Sequence, residues 1–121
     1  SKFAWAELLR QQDRRADAVK LYRELAADVR SKEGSAAAYY VLEDTFEKGD
    51  MDKTEKAIFA YSEREPQAYW LAKAFILLGD VYVRKGDNFQ ARATYQSVAD
   101  GYSPADDGIV DEAKERIAKL N

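Results

Sequence analysis

The chain has 121 residues, no Cys and no His, and a net charge of −3 at pH 7. Without those residue types it has no disulfide, no thiolate zinc site, no Cys nucleophile and not the commonest general base. The mildly acidic balance argues against a nucleic-acid partner, and no apolar run approaches the roughly 18 residues of a membrane span. We therefore expect neither an enzyme nor a membrane segment.

Charged residues make up 34% of the chain and only two prolines occur, which is typical of solvated helices. Apolar periodicity and turn residues predict an all-α protein of seven helices, at about 2–11, 14–30, 35–48, 51–64, 66–85, 88–101 and 106–120. Glycines expected to end helices in the left-handed conformation are Gly34, Gly49, Gly86 and Gly101. Pro66 is expected in a first helical turn, and Asp106 and Asp107 are expected to cap the last helix.

The most regular pattern lies in residues 77–95. One helix carries Leu78, Gly79 and Tyr82 on a shared face, Gly86-Asp87 breaks the chain, and the next helix carries Ala91 and Tyr95. A small residue such as Gly79 lets a second helix come close, and tyrosines fill the space beside it. The pattern therefore predicts an interlocking helix pair.

Two earlier copies of this pattern occur. Gly49-Asp50 precedes Gly86-Asp87 by 37 residues, and each pair follows a lysine. Further matches in the second copy are Val41, Leu42, Thr45, Thr54 and Ile58, and those in the first are Trp5, Ala6, Leu9, Ala18 and Tyr22. The first copy lacks a turn glycine.

These spacings resemble the tetratricopeptide repeat (TPR) family, whose units are about 34 residues long. The chain is read as one domain, 1–121, with repeats at about 1–34, 35–71 and 72–105 and a capping helix at about 106–120. The segment from Gln67 to Val98, followed by Asp106 to Ile117, is also similar to the C-terminal repeats of bacterial envelope-associated TPR proteins. The resemblance implies a right-handed superhelix of antiparallel helix pairs whose first helices line a concave groove.

The last helix has one apolar stripe and one charged face, as expected of a solenoid cap. The stripe consists of Ile109, Val110, Ala113, Ile117 and Leu120. The alternative is that the helix is half of a further repeat. Separately, because the chain begins with Ser and not Met, it is expected to be a fragment of a longer protein.

Positions one residue beyond the packing positions of each first helix are expected to face the groove. The candidate partner-binding residues are Tyr39, Tyr40, Glu43, Phe46, Lys73, Ile76, Asp80 and Arg84. Exposed aromatic side chains give contact area at low entropic cost, so Tyr39, Tyr40 and Phe46 are the expected anchors. The alternative for these three is packing between helices. Trp70, beside Tyr69, is expected to cover the adjacent turn, with an exposed contact as the alternative.

Charges near the groove argue against one known TPR activity. The positions that clamp the C-terminal carboxylate of chaperones carry Phe3, Glu7, Tyr40, Lys73 and Leu77 here. Only Lys73 fits, so the resemblance does not imply a chaperone-tail receptor. The acids Glu7, Glu43 and Asp80 favour a partner with basic segments, unless they are ordinary solvated carboxylates.

Neither a metal nor a cofactor is predicted. Paired acids such as Asp106-Asp107 lack the spacing of a calcium loop. The chain is therefore predicted to be a non-enzymatic scaffold or adaptor that binds a protein or peptide. The alternative is a structural or self-associating segment, such as a homo-oligomer, within a larger cell-envelope protein. The resemblance suggests the periplasm, and the cytoplasm remains open.

Overall fold

The computed structural model describes residues 1–121 and contains seven α-helices and no strand. The helices are α1 (Lys2–Gln11), α2 (Arg15–Leu25), α3 (Lys32–Glu47), α4 (Met51–Glu63), α5 (Ala68–Arg84), α6 (Asn88–Gly101) and α7 (Ile109–Ala118). They contain 75% of the residues. The all-α prediction is therefore confirmed. None of the helices is both long enough and apolar enough to cross a membrane.

The turns inside the three helix pairs share one backbone feature. Gly49 and Gly86 have φ angles of 89° and 79°, as expected for glycines that end a helix. Asp13 stands 36 residues before Gly49 and has φ of 60°. Aspartate is one of the few residues that tolerate this region. The first repeat therefore makes the same turn without a glycine.

The expected role of Gly34 as a helix end is wrong. Helix α2 ends at Leu25, well before the predicted residue 30, and α3 already begins at Lys32, so Gly34 lies in its first turn. A Cβ on Gly34 would lie 1.6 Å from the Asp28 carbonyl oxygen. Its lack of a side chain lets the loop pass against α3. Gly101 likewise is the last residue of α6 and has no positive φ.

The starts of α5 and α7 also differ from expectation. Pro66 precedes α5, whose N-cap is Gln67, because the helix begins only at Ala68. Helix α7 begins at Ile109, after Gly108 with φ of 92°. Asp107 accepts a hydrogen bond from the Ile109 N–H at 3.2 Å, so one of the two predicted capping acids acts at this end.

Consecutive helices pack antiparallel. Lys2 at the start of α1 pairs with Glu24 near the end of α2 at 3.2 Å, and Tyr61 near the end of α4 donates to the Ser35 carbonyl at the start of α3 at 2.8 Å. Helix α3 also contacts α5, and α5 contacts α7. Arg10 of α1 lies over the ring of Tyr40 in α3. Helices α1, α3, α5 and α7 therefore form a common layer, whose surface we call the odd-helix face.

Volumes are matched within each helix pair. In the first and third pairs a small residue on the first helix, Ala6 or Gly79, lies opposite a tyrosine on the second, Tyr22 or Tyr95. The equivalent residues of the second pair are Leu42 and Ile58. All six positions are buried. Close packing requires this compensation, which explains why the second pair departs from the repeat pattern.

Candidate protein-binding surface

The candidate binding residues do not share one environment. Tyr39, Phe46 and Ile76 are buried, with only 7%, 7% and 2% of their surface exposed. Tyr40, Glu43, Lys73 and Asp80 are half-buried, and Arg84 is exposed. The expectation that Tyr39 and Phe46 are exposed anchors is therefore wrong.

Helix α5 covers both rings. The Tyr39 ring lies 5.6 Å from that of Trp70, and the Arg84 guanidinium lies 4.7 Å from the centre of the Phe46 ring. Arg84 also lines a cleft of about 310 Å³ with Phe46, Asp80 and Arg116. These residues therefore contribute to helix packing, whichever surface a partner uses.

Two of the expected groove acids are neutralised inside the protein. Glu7 receives hydrogen bonds from Arg10, at 2.9 Å, and from the Tyr22 hydroxyl. Asp80 likewise accepts a hydrogen bond from the Tyr95 hydroxyl and two from the Arg116 guanidinium of α7, at 3.0 and 3.2 Å. The hydrogen bond with Asp80 raises the pKa of Arg116.

Helix α7 closes this part of the face with a second ion pair. Lys73 of α5 pairs with Glu112 of α7 at 3.4 Å. The one lysine that matched a carboxylate-clamp position is thus already matched with a carboxylate of the same chain. Helix α7 contributes specific polar contacts to α5 as well as its apolar stripe.

Glu43 differs from the other two acids. It lies where Glu7 and Asp80 lie in their repeats, but the residue 15 positions later is Ile58 rather than a tyrosine. Its nearest cation is Arg15, at 3.6 Å, and no side-chain hydrogen bond to it is formed within the protein. Of the three acids, Glu43 is therefore the one whose carboxylate the protein engages least.

Four aromatic residues of α3 and α5 form a continuous group on the odd-helix face, which we call the aromatic cluster: Tyr39, Tyr40, Tyr69 and Trp70. Trp70 lies at its centre, with its ring 5.0 Å from Tyr69, 5.6 Å from Tyr39 and 5.7 Å from Tyr40. Tyr22 and Phe3 extend the contacts towards α1. The sequence predicted that Trp70 covers the adjacent turn. In the structure its ring also packs against α3.

The polar atoms of this cluster are not used within the protein. Five of the eight tyrosines make a hydroxyl hydrogen bond to a protein group: Tyr22, Tyr61, Tyr82, Tyr95 and Tyr102. The other three are those of the cluster, and the Trp70 indole N–H is also unpaired. The only buried side-chain oxygen or nitrogen without a hydrogen bond is Asp44 Oδ2, which nevertheless lies 2.9 Å from Lys48 Nζ as an ion pair. The free atoms of the cluster therefore reach the surface.

Cations of the chain already occupy ring faces in the cluster. The Arg10 guanidinium lies 4.4 Å from the centre of the Tyr40 ring, and Lys73 Nζ lies 5.8 Å from that of Tyr39. Each cation is matched by an acid, Glu7 or Glu112. Burial raises the pKa of Tyr39 and of Tyr40, so both hydroxyls stay protonated at neutral pH and can donate.

Tyr39 and Tyr40 were among the predicted binding residues, whereas an exposed contact of Trp70, beside Tyr69, was only the alternative to packing on the adjacent turn. Their signal was the pair of adjacent aromatic residues at the start of a first helix, one turn before Lys73. No group of three or more acidic side chains lies close enough to hold a metal ion.

Comparisons of the chain with protein-family models, with curated proteins and with solved structures find no match.

Proposed function

We propose that this chain is a non-enzymatic protein-interaction module built from three TPR-like helix pairs, which binds a peptide or partner helix on its odd-helix face. The observation that carries the proposal is the aromatic cluster with its four unpaired polar atoms. Tyrosine, tryptophan and arginine dominate the binding energy of protein interfaces, and all three residue types meet here.

The repeat arrangement supports this choice of face. Equivalent turns lie 36 and 37 residues apart. Helix α3 contacts α5 and α5 contacts α7, and Arg10 of α1 lies over the Tyr40 ring of α3. Stacking of such units would generate the right-handed superhelix that the resemblance implies, with the odd-numbered helices on its inner side. A rigid helical layer holds the aromatic rings in place before binding, which lowers the entropic cost of association.

Site-specific photo-crosslinking tests the proposal. A benzophenone amino acid at Tyr69, which is 36% exposed, should capture a protein partner in the native source. The matched control carries the same group at Phe89 of α6, which is 85% exposed and lies outside the odd-helix face. Equal capture at both positions, or capture at Phe89 alone, would remove the support for this face.

A second function is favoured by α1. Trp5 and Leu8 lie one turn apart on its outer side and are 55% and 43% exposed, and the neighbouring exposed residues Ala4, Gln11 and Gln12 carry no charge. A helix face with an exposed tryptophan and leucine, whose charge is confined to Lys2 at its start, suits self-association or packing against a neighbouring domain. Sedimentation velocity of the native chain and of Leu8→Lys separates this role from the first. A concentration-dependent dimer that Leu8→Lys abolishes would support it.

A further inference from the structure

We infer that the aromatic cluster binds an extended, proline-containing segment in the polyproline II conformation. The inference depends on the proposed function, because it names the partner class of that same surface. It follows from which hydrogen-bonding groups the cluster offers and which charges it already holds.

The cluster presents donors that lack acceptors. The indole N–H of Trp70 can only donate, and the hydroxyls of Tyr39, Tyr40 and Tyr69 can also donate. A partner helix satisfies most of its own backbone carbonyls, and a partner strand needs a sheet edge, while this protein has no strand. A polyproline II segment has no internal hydrogen bonds, so its backbone carbonyls are free to accept. Because its prolines have no N–H, it brings few donors that need an acceptor.

Ring packing agrees with the same ligand. Aromatic-lined surfaces receive proline-rich segments in several unrelated domains. The rings of Tyr69, Trp70 and Tyr40 follow one another at centre-to-centre steps of 5.0 and 5.7 Å. One polyproline II turn rises about 9 Å over three residues. A segment of about one to two turns would therefore cover the cluster.

Charge complementarity excludes a strongly charged occupant at the rings. Arg10 and Lys73 take the cation–π positions over Tyr40 and Tyr39, so a basic side chain of the partner would meet like charge there. Glu7 and Glu112 neutralise both cations, so no free cation attracts an acidic side chain. The paired charges around the rings therefore favour an uncharged segment that is rich in carbonyl groups.

Nuclear magnetic resonance of the intact chain tests the inference, because its two tryptophans, Trp5 and Trp70, give two indole N–H signals. The probe is an uncharged, end-capped nonapeptide of repeated Ala-Pro-Pro. The comparison peptides are an uncharged Ala/Gln helix former and a Lys-containing peptide of equal length. The proline peptide should shift the Trp70 indole signal saturably and leave that of Trp5, on the outer side of α1, unchanged.

Conservative variants show whether the free hydroxyls take part. Tyr40→Phe and Tyr69→Phe keep the rings, and each should weaken binding of the proline peptide by about two- to tenfold, the usual value of one hydrogen bond. Tyr82→Phe is the matched control, because the Tyr82 hydroxyl already donates to Glu55 at 2.8 Å, outside the cluster. It should leave the affinity unchanged.

Three results would overturn the inference: a stronger Trp70 shift with either comparison peptide, no shift with the proline peptide up to millimolar concentration, or full affinity in both Tyr→Phe variants. If partners still crosslink at Tyr69 in these cases, the proposed function stands and only the partner class is wrong. Absence of crosslinks at Tyr69 would instead count against the proposed function itself.

Discussion

Gly79 of α5 and Tyr95 of α6 form a complementary pair in which the ring occupies the space of a missing side chain. A Cβ on Gly79 would lie 2.2 Å from Tyr95 Cε1, closer than any real contact. The expected close approach at Gly79 is thereby confirmed. The Tyr95 hydroxyl also donates a hydrogen bond to Asp80. Both the packing and a polar contact of the third helix pair therefore depend on the space that Gly79 leaves.

Gly79→Leu should destabilise the protein by about 1–3 kcal/mol, because overpacking forces the ring and the backbone apart. The double variant Gly79→Leu with Tyr95→Ile reproduces the Leu42 and Ile58 pair of the second repeat and should recover part of that loss. Urea unfolding of both variants and of the native chain measures the difference. Equal stability of the single variant and the native chain would mean that α6 adapts without cost.

Gly34→Ala should destabilise by about 1–3 kcal/mol for a different reason. The added Cβ would lie 1.6 Å from the backbone oxygen of Asp28, so the loop before α3 must move. Gly101→Ala is the matched control: nothing lies within 4 Å of the added atom, and reduced freedom of the unfolded chain should stabilise by about 0.4–1 kcal/mol. Thermal melts that rank the two variants in the opposite order would contradict this assignment.

The sequence predicted the helix pairs well because both signals involved are local. Apolar periodicity identified seven helices, and Gly49 and Gly86 marked two turns where the backbone needs a positive φ. Gly34 was misjudged because its role depends on a contact with Asp28 across a loop, and no local rule distinguishes a glycine of that kind from one that ends a helix.

The surface was harder to predict than the fold. Spacing predicted that Tyr39 and Phe46 face the groove, but it could not show that Trp70 and Arg84 of α5 cover them. Pairing of Asp80 with Arg116 joins residues 36 apart on different helices. Such contacts depend on the relative position of helices, which periodicity does not specify.

Asp80 and Arg116 should be energetically coupled, since their two hydrogen bonds are partly buried and join α7 to α5. A double-mutant cycle with Asp80→Asn and Arg116→Met should give a coupling of about 1 kcal/mol. The half-exposed pair Lys2 and Glu24, tested with Lys2→Met and Glu24→Gln, should give less than about 0.5 kcal/mol. Coupling of equal size in the two cycles would show that partial burial adds nothing to the strength of the Asp80–Arg116 pair.

Stability should be steady from neutral pH to about 10 and fall above it. Tyrosines whose pKa is raised, most of them chiefly by burial, are Tyr22, Tyr39, Tyr40, Tyr61, Tyr82, Tyr95 and Tyr102. Above their usual pKa of about 10 the unfolded chain binds fewer protons than the folded one, so the free energy of unfolding decreases with pH. Hydrogen bonds to Asp52 and Glu55 also raise the pKa of Lys85, so deprotonation of Lys85 further decreases the free energy of unfolding at alkaline pH.

Tyr61→Phe tests this assignment. It removes the 2.8 Å hydrogen bond to the Ser35 carbonyl, which should cost about 1 kcal/mol at pH 7, but it also removes one hydroxyl that must ionise when the protein unfolds at high pH. Urea unfolding between pH 7 and 11 should therefore show a smaller alkaline loss for the variant than for the native chain. Parallel curves would indicate that Tyr61 ionises equally in both states.

Charge preference of the odd-helix face should depend on Glu43 and not on Asp80. Asp80 is held by Arg116 and Tyr95, so Asp80→Lys would disturb α7, and truncating the buried rings of Tyr39 and Phe46 to Ala should cost about 3–5 kcal/mol each, close to what unfolds a small domain. None of those changes can report on binding alone.

Glu43→Lys leaves these contacts intact, and loss of its 3.6 Å pair with the exposed Arg15 should cost no more than about 1 kcal/mol. It should slow capture of partners that carry Lys or Arg beside the segment bound at the cluster, most clearly at low salt, because exposed charges act over only about 8 Å at physiological ionic strength. Glu63→Lys, an exposed position of α4 with the same change in net charge, is the control. Association rates with crosslinked partners, measured at two salt concentrations, decide the matter: equal slowing by both variants would show that only net charge counts and that Glu43 has no specific role.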